Sequence, residues 1–194
     1  MFNALKSGTI LAACLLAAQA IAQEAEQPAP ATDGLSLGET VVEGRIVGQE
    51  YLKETYDDWE VKCIATEDGN DPCQIYQLLF DGDGNSVAEI SMAQLQGQGQ
   101  AVAGGNIVTP LGTLLTEQIT LQIDSGNPRR YPFTFCTQVG CVSRVGFTAD
   151  DIASMKRGAE GRITIAPAGA NGQKVALPMS LTGFTAAYDS LAAN

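Results

Sequence analysis

The sequence predicts a mainly β fold, a sandwich carrying one short helix and a second helix at its C-terminus, and three observations lead there. Between Tyr56 and Leu181 the apolar residues fall in short runs separated by Gly, Asn, Asp and Pro, which is the spacing of strands joined by turns. Trp59, Val61 and Cys63 alternate with Glu60 and Lys62, as a strand with one buried face requires. Only two segments change to helical spacing, one after Thr148 and one after Thr182. A chain of 194 residues that is 45% hydrophobic and 17% charged has room for one modest core and accessory segments.

The first twenty-two residues, MFNALKSGTILAACLLAAQAIA, place Lys6 ahead of an apolar run and end in Ala20-Ile21-Ala22. A charged start, a short apolar stretch and an A-x-A site make a secretory signal peptide, with Gln23 as the mature N-terminus. The run is too short to span a bilayer, so no membrane span is expected. Leu11-Ala12-Ala13-Cys14 also has lipobox form, and the alternative is a lipid anchor at Cys14. Apolar residues continue through Leu15, Leu16 and Ala17, which suits the interior of a signal peptide better than a polar tether. Loss of the leader removes one lysine and no acid, so the net charge moves from −11 to −12.

Residues 23–50 read as a flexible linker rich in Ala, Pro, Glu and Gly, with disorder expected to about residue 38. Val41, Val42, Ile46 and Val47 form a short strand or dock on the body, and the sandwich domain occupies 51–194. Gln74 to Phe80 and Ser86 to Leu95 are the next two strands after Trp59, joined as a hairpin by Asp81-Gly82-Asp83-Gly84-Asn85. Gln94 to Gly105, dominated by Gly and Gln, reads as a mobile loop and a candidate contact edge. Further strands are expected at Asn106–Thr109, Leu111–Leu115, Gln118–Asp124, Tyr131–Thr137, Cys141–Phe147, Arg162–Ala166 and Lys174–Leu181. Thr148-Ala149-Asp150-Asp151 resembles a capping box that starts the short helix, and Gly158 stops it. Phe184, Ala187, Tyr188 and Leu191 give the terminal helix one apolar face.

With Cys14 removed, Cys63, Cys73, Cys136 and Cys141 remain, and an even count in an exported chain implies two disulfides. Spacing alone leaves three connectivities. Cys63 with Cys73 and Cys136 with Cys141 is favoured because each pair flanks a turn between adjacent strands, each closure contributing roughly 2 to 3 kcal/mol. The alternatives are thiol exchange at Cys136 and Cys141 and a four-Cys zinc site, which export and the nine-residue spacer disfavour.

Trp59-Glu60-Val61-Lys62-Cys63, Pro72-Cys73-Gln74-Ile75, Thr109-Pro110-Leu111-Gly112 and Ile123-Asp124 resemble the invasion-associated locus B (IalB) family. So do Tyr131-Pro132-Phe133-Thr134-Phe135-Cys136, Gly140-Cys141, Leu177-Pro178-Met179-Ser180-Leu181 and Thr182-Gly183-Phe184-Thr185-Ala186-Ala187, in the same order. The resemblance covers about residues 51–192. It implies an immunoglobulin-like β-sandwich, a secreted or periplasmic bacterial protein and the paired cysteines proposed above. It carries over no catalytic residues, and host-cell entry, with which the family's founders are associated, is a phenotype rather than a chemistry.

Function classes narrow further by subtraction. The chain has no His, so Ser-His and Cys-His nucleophile arrangements are excluded. A net charge of −11 disfavours docking on nucleic acid or anionic lipid. No phosphate-binding or dinucleotide-binding motif stands in a suitable context, and no cofactor is implied.

Asp81, Asp83 and Asn85 open with calcium-loop spacing, yet Ser86 stands where the turn wants Gly and Met92 where a bidentate Glu belongs. A solvated hairpin turn is the reading preferred. Glu67, Asp68 and Asp71 form a second acidic loop, an ordinary solvated turn or a source of oxygen ligands or of a carboxylate pair. Trp59, the only tryptophan, reads as core. Arg129 and Arg130 follow Asn127-Pro128 in a turn and are the candidate binding residues for an acidic partner or a lipopolysaccharide phosphate. The reading is an exported non-enzymatic envelope protein whose partner is an unknown envelope or host protein. Its rivals are a His-independent carboxylate or Ser enzyme and a structural, stress-protective envelope protein.

Overall fold

Alternating burial along the inner strands, polar side out and apolar side in, builds two main antiparallel sheets over one core. The computed structural model describes residues 38–193 apart from residue 98. The signal peptide, Cys14 and the linker up to residue 37 lie outside the described residues.

A two-stranded hairpin comes first, β1 (Val41–Val42) paired with β2 (Arg45–Ile46). It is tied to the body where the Gly48 N–H donates to the Ala65 carbonyl and the Ala65 N–H to that of Gln49. The chain then runs up and down through β3 (Glu50–Tyr56), β4 (Trp59–Ile64), β5 (Cys73–Phe80), β6 (Ser86–Gln94) and β7 (Ala101–Thr109). After Pro110 it crosses to the second layer and forms β8 (Ile119–Ile123) and β9 (Arg129–Tyr131), then returns as β10 (Phe135–Thr137) and β11 (Gly140–Thr148). The short helix α1 (Ala149–Arg157) leads to β12 (Glu160–Ile165) and β13 (Val175–Ser180) in the second layer, and α2 (Phe184–Ser190) follows. The larger sheet has the order β10-β11-β7-β6-β5-β4-β3 and the smaller β13-β12-β8-β9.

The inward residues of both sheets share one core, Trp59, Ile75, Leu79, Ile90 and Ile107 from the first and Ile119, Ile163, Leu177 and Met179 from the second. Helix α1 starts where the sequence places its capping box: the Asp151 N–H donates to Thr148 Oγ1 and the Thr148 N–H to Asp151 Oδ2. Its buried residues, Ile152 and Met155, join the core. Helix α2 brings Phe184 edge-on to Trp59 at 5.3 Å and stacks Tyr188 on Phe184 at 5.7 Å. Trp59 is fully buried and donates from Nε1 to the Ser180 carbonyl at 2.9 Å. Gly183 begins α2 with φ of +83°, and a Cβ there would lie 2.0 Å from the Tyr56 carbonyl oxygen. Backbone conformation and close approach both demand glycine at that position.

Four strand expectations are corrected. Ala101 to Gly105 lies in the interior strand β7 rather than in a mobile loop, because Gly105 faces the Ser91 carbonyl so closely that a Cβ would stand 2.3 Å from it. Glycine in a strand here marks close backbone approach, not mobility. Leu111 to Leu115 is a turn leading into a short 3-10 helix (Leu115–Glu117), with only Thr113 bridged to Pro167. Tyr131 to Thr137 is two strands in different sheets, divided at Pro132, which has no N–H for a ladder. Arg129 and Arg130 belong to β9 and not to a turn. The edge strand β3 was not singled out in the sequence because five of its seven residues are exposed and carry no alternation.

Candidate functional site

The cysteines sit directly opposite each other on paired strands. Cys63 of β4 is bonded to Cys73 of β5, and Cys136 of β10 to Cys141 of β11. Each bridge staples one hairpin. Inside the first loop, Asp71 accepts from the Thr66 N–H at 2.7 Å, Thr66 Oγ1 at 2.9 Å and the Tyr51 hydroxyl at 2.7 Å. The Tyr51 hydrogen bond is the largest influence holding the Asp71 carboxyl below the usual carboxylate range, and that same bond pushes the Tyr51 phenol up. Asp68 is lowered chiefly by the Asn70 side chain, and Asp81 chiefly by the Asn85 side chain.

These three carboxylates are therefore occupied in closing their loops. Their pKa values move away from the raised value a general acid needs. Among the described residues no group of three or more His, Cys, Asp or Glu converges as a metal site. No helix among the described residues is long and apolar enough to cross a membrane.

The structure separates Arg129 from Arg130. Neighbours on a strand point to opposite faces, and the two guanidinium groups have different partners: Arg129 pairs with Asp151 at 2.9 Å, and Arg130 donates to the Glu117 carbonyl at 2.8 Å. Arg129 lines a cleft of about 490 Å³ between β8, β9 and α1, together with Tyr131, Asp124, Asp150, Asp151 and Arg157. Burial and Asp151 push the Tyr131 phenol up. Acids outnumber bases among these residues.

A second cleft, of about 540 Å³, opens where β5 meets the β3–β4 turn and β13. Four carboxylates line it, Asp57, Asp58, Glu60 and Glu160, with Leu78, Phe80 and Pro178 as its apolar side and no Lys or Arg among the lining residues. Glu60 is paired with Lys62 at 3.1 Å and Glu160 with Arg162 at 3.2 Å, whereas Asp57 and Asp58 have no ion-pair partner among the described residues. Leu78 and Phe80 are 39% and 45% exposed.

Gln77 fixes the floor of this cleft. Its Nε2 donates to the carbonyls of Asp58 and Ser180, each at 3.1 Å, and its Oε1 accepts the Ser180 N–H at 2.9 Å. One buried amide thus holds the two sheets at a set distance. Beside it, burial and a hydrogen bond to Glu89 push the Tyr76 phenol up, and Lys62 lies over its ring. Sequence reasoning missed this cleft, though it left a sign: Leu78-Leu79-Phe80 is an unbroken apolar run in a strand that buries only one face.

Comparison with known proteins agrees with this fold. Residues 59–192 match the family described as Invasion associated locus B (IalB) protein. An invasion protein B homolog of Brucella abortus strain 2308 is 32% identical over 150 residues, covering 75% of this chain and 82% of the relative.

The chain belongs to the invasion-associated locus B family.

The invasion protein B of Bartonella bacilliformis, also similar, is 28% identical over 119 residues, 61% of this chain and 62% of that protein. The crystal structure of invasion associated protein B from Bartonella henselae superposes with a TM-score of 0.63 at 24% identity, covering 74% of this chain and 96% of that one. That likeness shows the fold. The match begins at Trp59 and spans both cysteine pairs and α2, so the family domain includes most of the second cleft, with Asp57 and Asp58 just before it.

Proposed function

We propose that the chain is an exported, non-enzymatic protein of the bacterial envelope that acts by binding a protein partner. Residues 1–22 direct export, the segment between residue 23 and the β1–β2 hairpin forms a linker to the sandwich, and the two disulfides suit the oxidising compartment beyond the inner membrane. The observation that carries the binding role is the second cleft, which leaves Leu78 and Phe80 exposed beside Asp57 and Asp58, two carboxylates with no ion-pair partner among the described residues, on a frame closed by disulfides. Contiguous exposed apolar patches rimmed by polar groups mark interaction surfaces, and Leu78 and Phe80 stand two residues apart on the same outward face of β5. The names of the relatives, invasion protein B and its homolog, support host contact as one role for such a surface.

Affinity capture tests this role. The chain with its disulfides intact is immobilised and offered envelope extract, with the reduced and unfolded chain as control. The folded chain is expected to retain a partner saturably, and recovery equal to the unfolded control would overturn the binding role.

A further inference from the structure

We propose that the cleft between β5, the β3–β4 turn and β13 docks a basic peptide segment of a partner protein, one carrying an apolar residue between its Lys or Arg side chains. The inference rests on the binding role proposed above and specifies its chemistry. The apolar side, Leu78, Phe80 and Pro178, offers a contact for one aliphatic side chain, and the carboxylates stand around it. Two of them, Asp57 and Asp58, are exposed and have no ion-pair partner among the described residues, so a cation can approach without displacing an existing pair. A volume of about 540 Å³ is on the scale of a site for a small ligand or a few side chains rather than for a folded domain.

Charge decides between occupants. A second copy of a chain whose net charge is −11 brings more negative charge to an acidic cleft. The chain's own residues 23–37 contain Glu24, Glu26 and Asp33 and no Lys or Arg, which excludes them on the same ground. Nucleic acid and anionic lipid are repelled as well. A basic segment is attracted from a distance and is held at contact, the combination that favours encounter and specificity together. Pro178 lies in the edge strand β13 and removes a backbone donor there, so side chains, not an added strand, make the recognition.

The test is a fluorescence anisotropy titration of the disulfide-intact chain with a labelled peptide of alternating Lys and Val, against an otherwise equal peptide of Glu and Val. The basic peptide is expected to bind, with affinity falling as salt rises, and the acidic one is not. Asp57→Asn combined with Asp58→Asn weakens the basic peptide about fivefold, from two lost exposed ion pairs of the ordinary size. Asn also accepts the positive φ of +49° at position 57, so the variant keeps its turn. Phe80→Ser weakens binding comparably, and Asp83→Asn, in the β5–β6 hairpin turn, leaves it unchanged. Unaltered affinity in the double variant, equal binding of the acidic peptide, or no binding of the basic one would overturn the inference. An envelope partner retained equally by the double variant and the original chain would overturn the cleft assignment and leave the binding role standing. Failure of capture by both would remove the role itself.

Discussion

Replacing Gln77 with Leu removes the amide that joins the two sheets while keeping nearly the same volume. In the folded chain Gln77 is buried and makes three hydrogen bonds, two to Ser180 and one to the Asp58 carbonyl. The Ser180 carbonyl keeps the Trp59 indole as donor, but the Ser180 N–H is left without its acceptor. An orphaned buried donor costs about 1 to 3 kcal/mol, and the lost bond to Asp58 about 0.5 to 1.5 kcal/mol more. Added apolar burial by Leu offsets about 1 kcal/mol of this, so the expected net loss is about 0.5 to 3.5 kcal/mol. In a domain of this size that lowers Tm by about 1 to 14 °C.

Urea unfolding followed by Trp59 fluorescence, with disulfides intact, measures the loss directly, since Trp59 is the only tryptophan and lies beside the same clamp. Stability within about 0.5 kcal/mol of the original, the range of a neutral surface change, would refute the reasoning. It would mean that Gln77 does not hold the sheets together and that the cleft floor is set by something else.

Two further outcomes follow from particular residues. Gly183→Ala must relieve a Cβ placed 2.0 Å from the Tyr56 carbonyl at φ of +83°, and the backbone strain alone is about 1 to 3 kcal/mol; an unchanged unfolding midpoint would contradict the packing of α2 on the β3–β4 turn. Asp71 is held below its ordinary pKa mainly by the Tyr51 hydroxyl, so the stability it contributes is present above about pH 4 and is lost as pH falls through its depressed folded value. Asp71→Asn therefore lowers stability at neutral pH and flattens the acid limb, as read from urea midpoints across a pH series; parallel acid limbs for the two proteins would count against that network.

Local features were legible because they depend on near neighbours. Alternation from Trp59 to Cys63, the hairpin at residues 81–85 and the Thr148 cap need only a few adjacent residues to be recognised, and the structure has them. Each disulfide closes a hairpin between adjacent strands, which is why local pairing could be argued from the turn that each pair flanks. Long-range choices were not legible. Division of the Tyr131–Thr137 run between two sheets depends on which strand waits on each side of Pro132. The glycines of β7 looked like a loop until the Ser91 backbone was seen against Gly105.

Candidate sites fared by the same rule. Arg129 and Arg130 are adjacent in sequence, yet strand geometry sends them to different partners. The second cleft draws on three stretches separated in sequence, around Asp57, Leu78 and Glu160, and only folding assembles it.

The measurement that tests the central claim most directly is the intact mass of the protein recovered from separated cell fractions, before and after reduction. An exported, disulfide-braced domain predicts a periplasmic or secreted species beginning at Gln23 that gains two hydrogens for each of its two bridges. A cytoplasmic species retaining residues 1–22, with a mass unchanged by reduction, would contradict it.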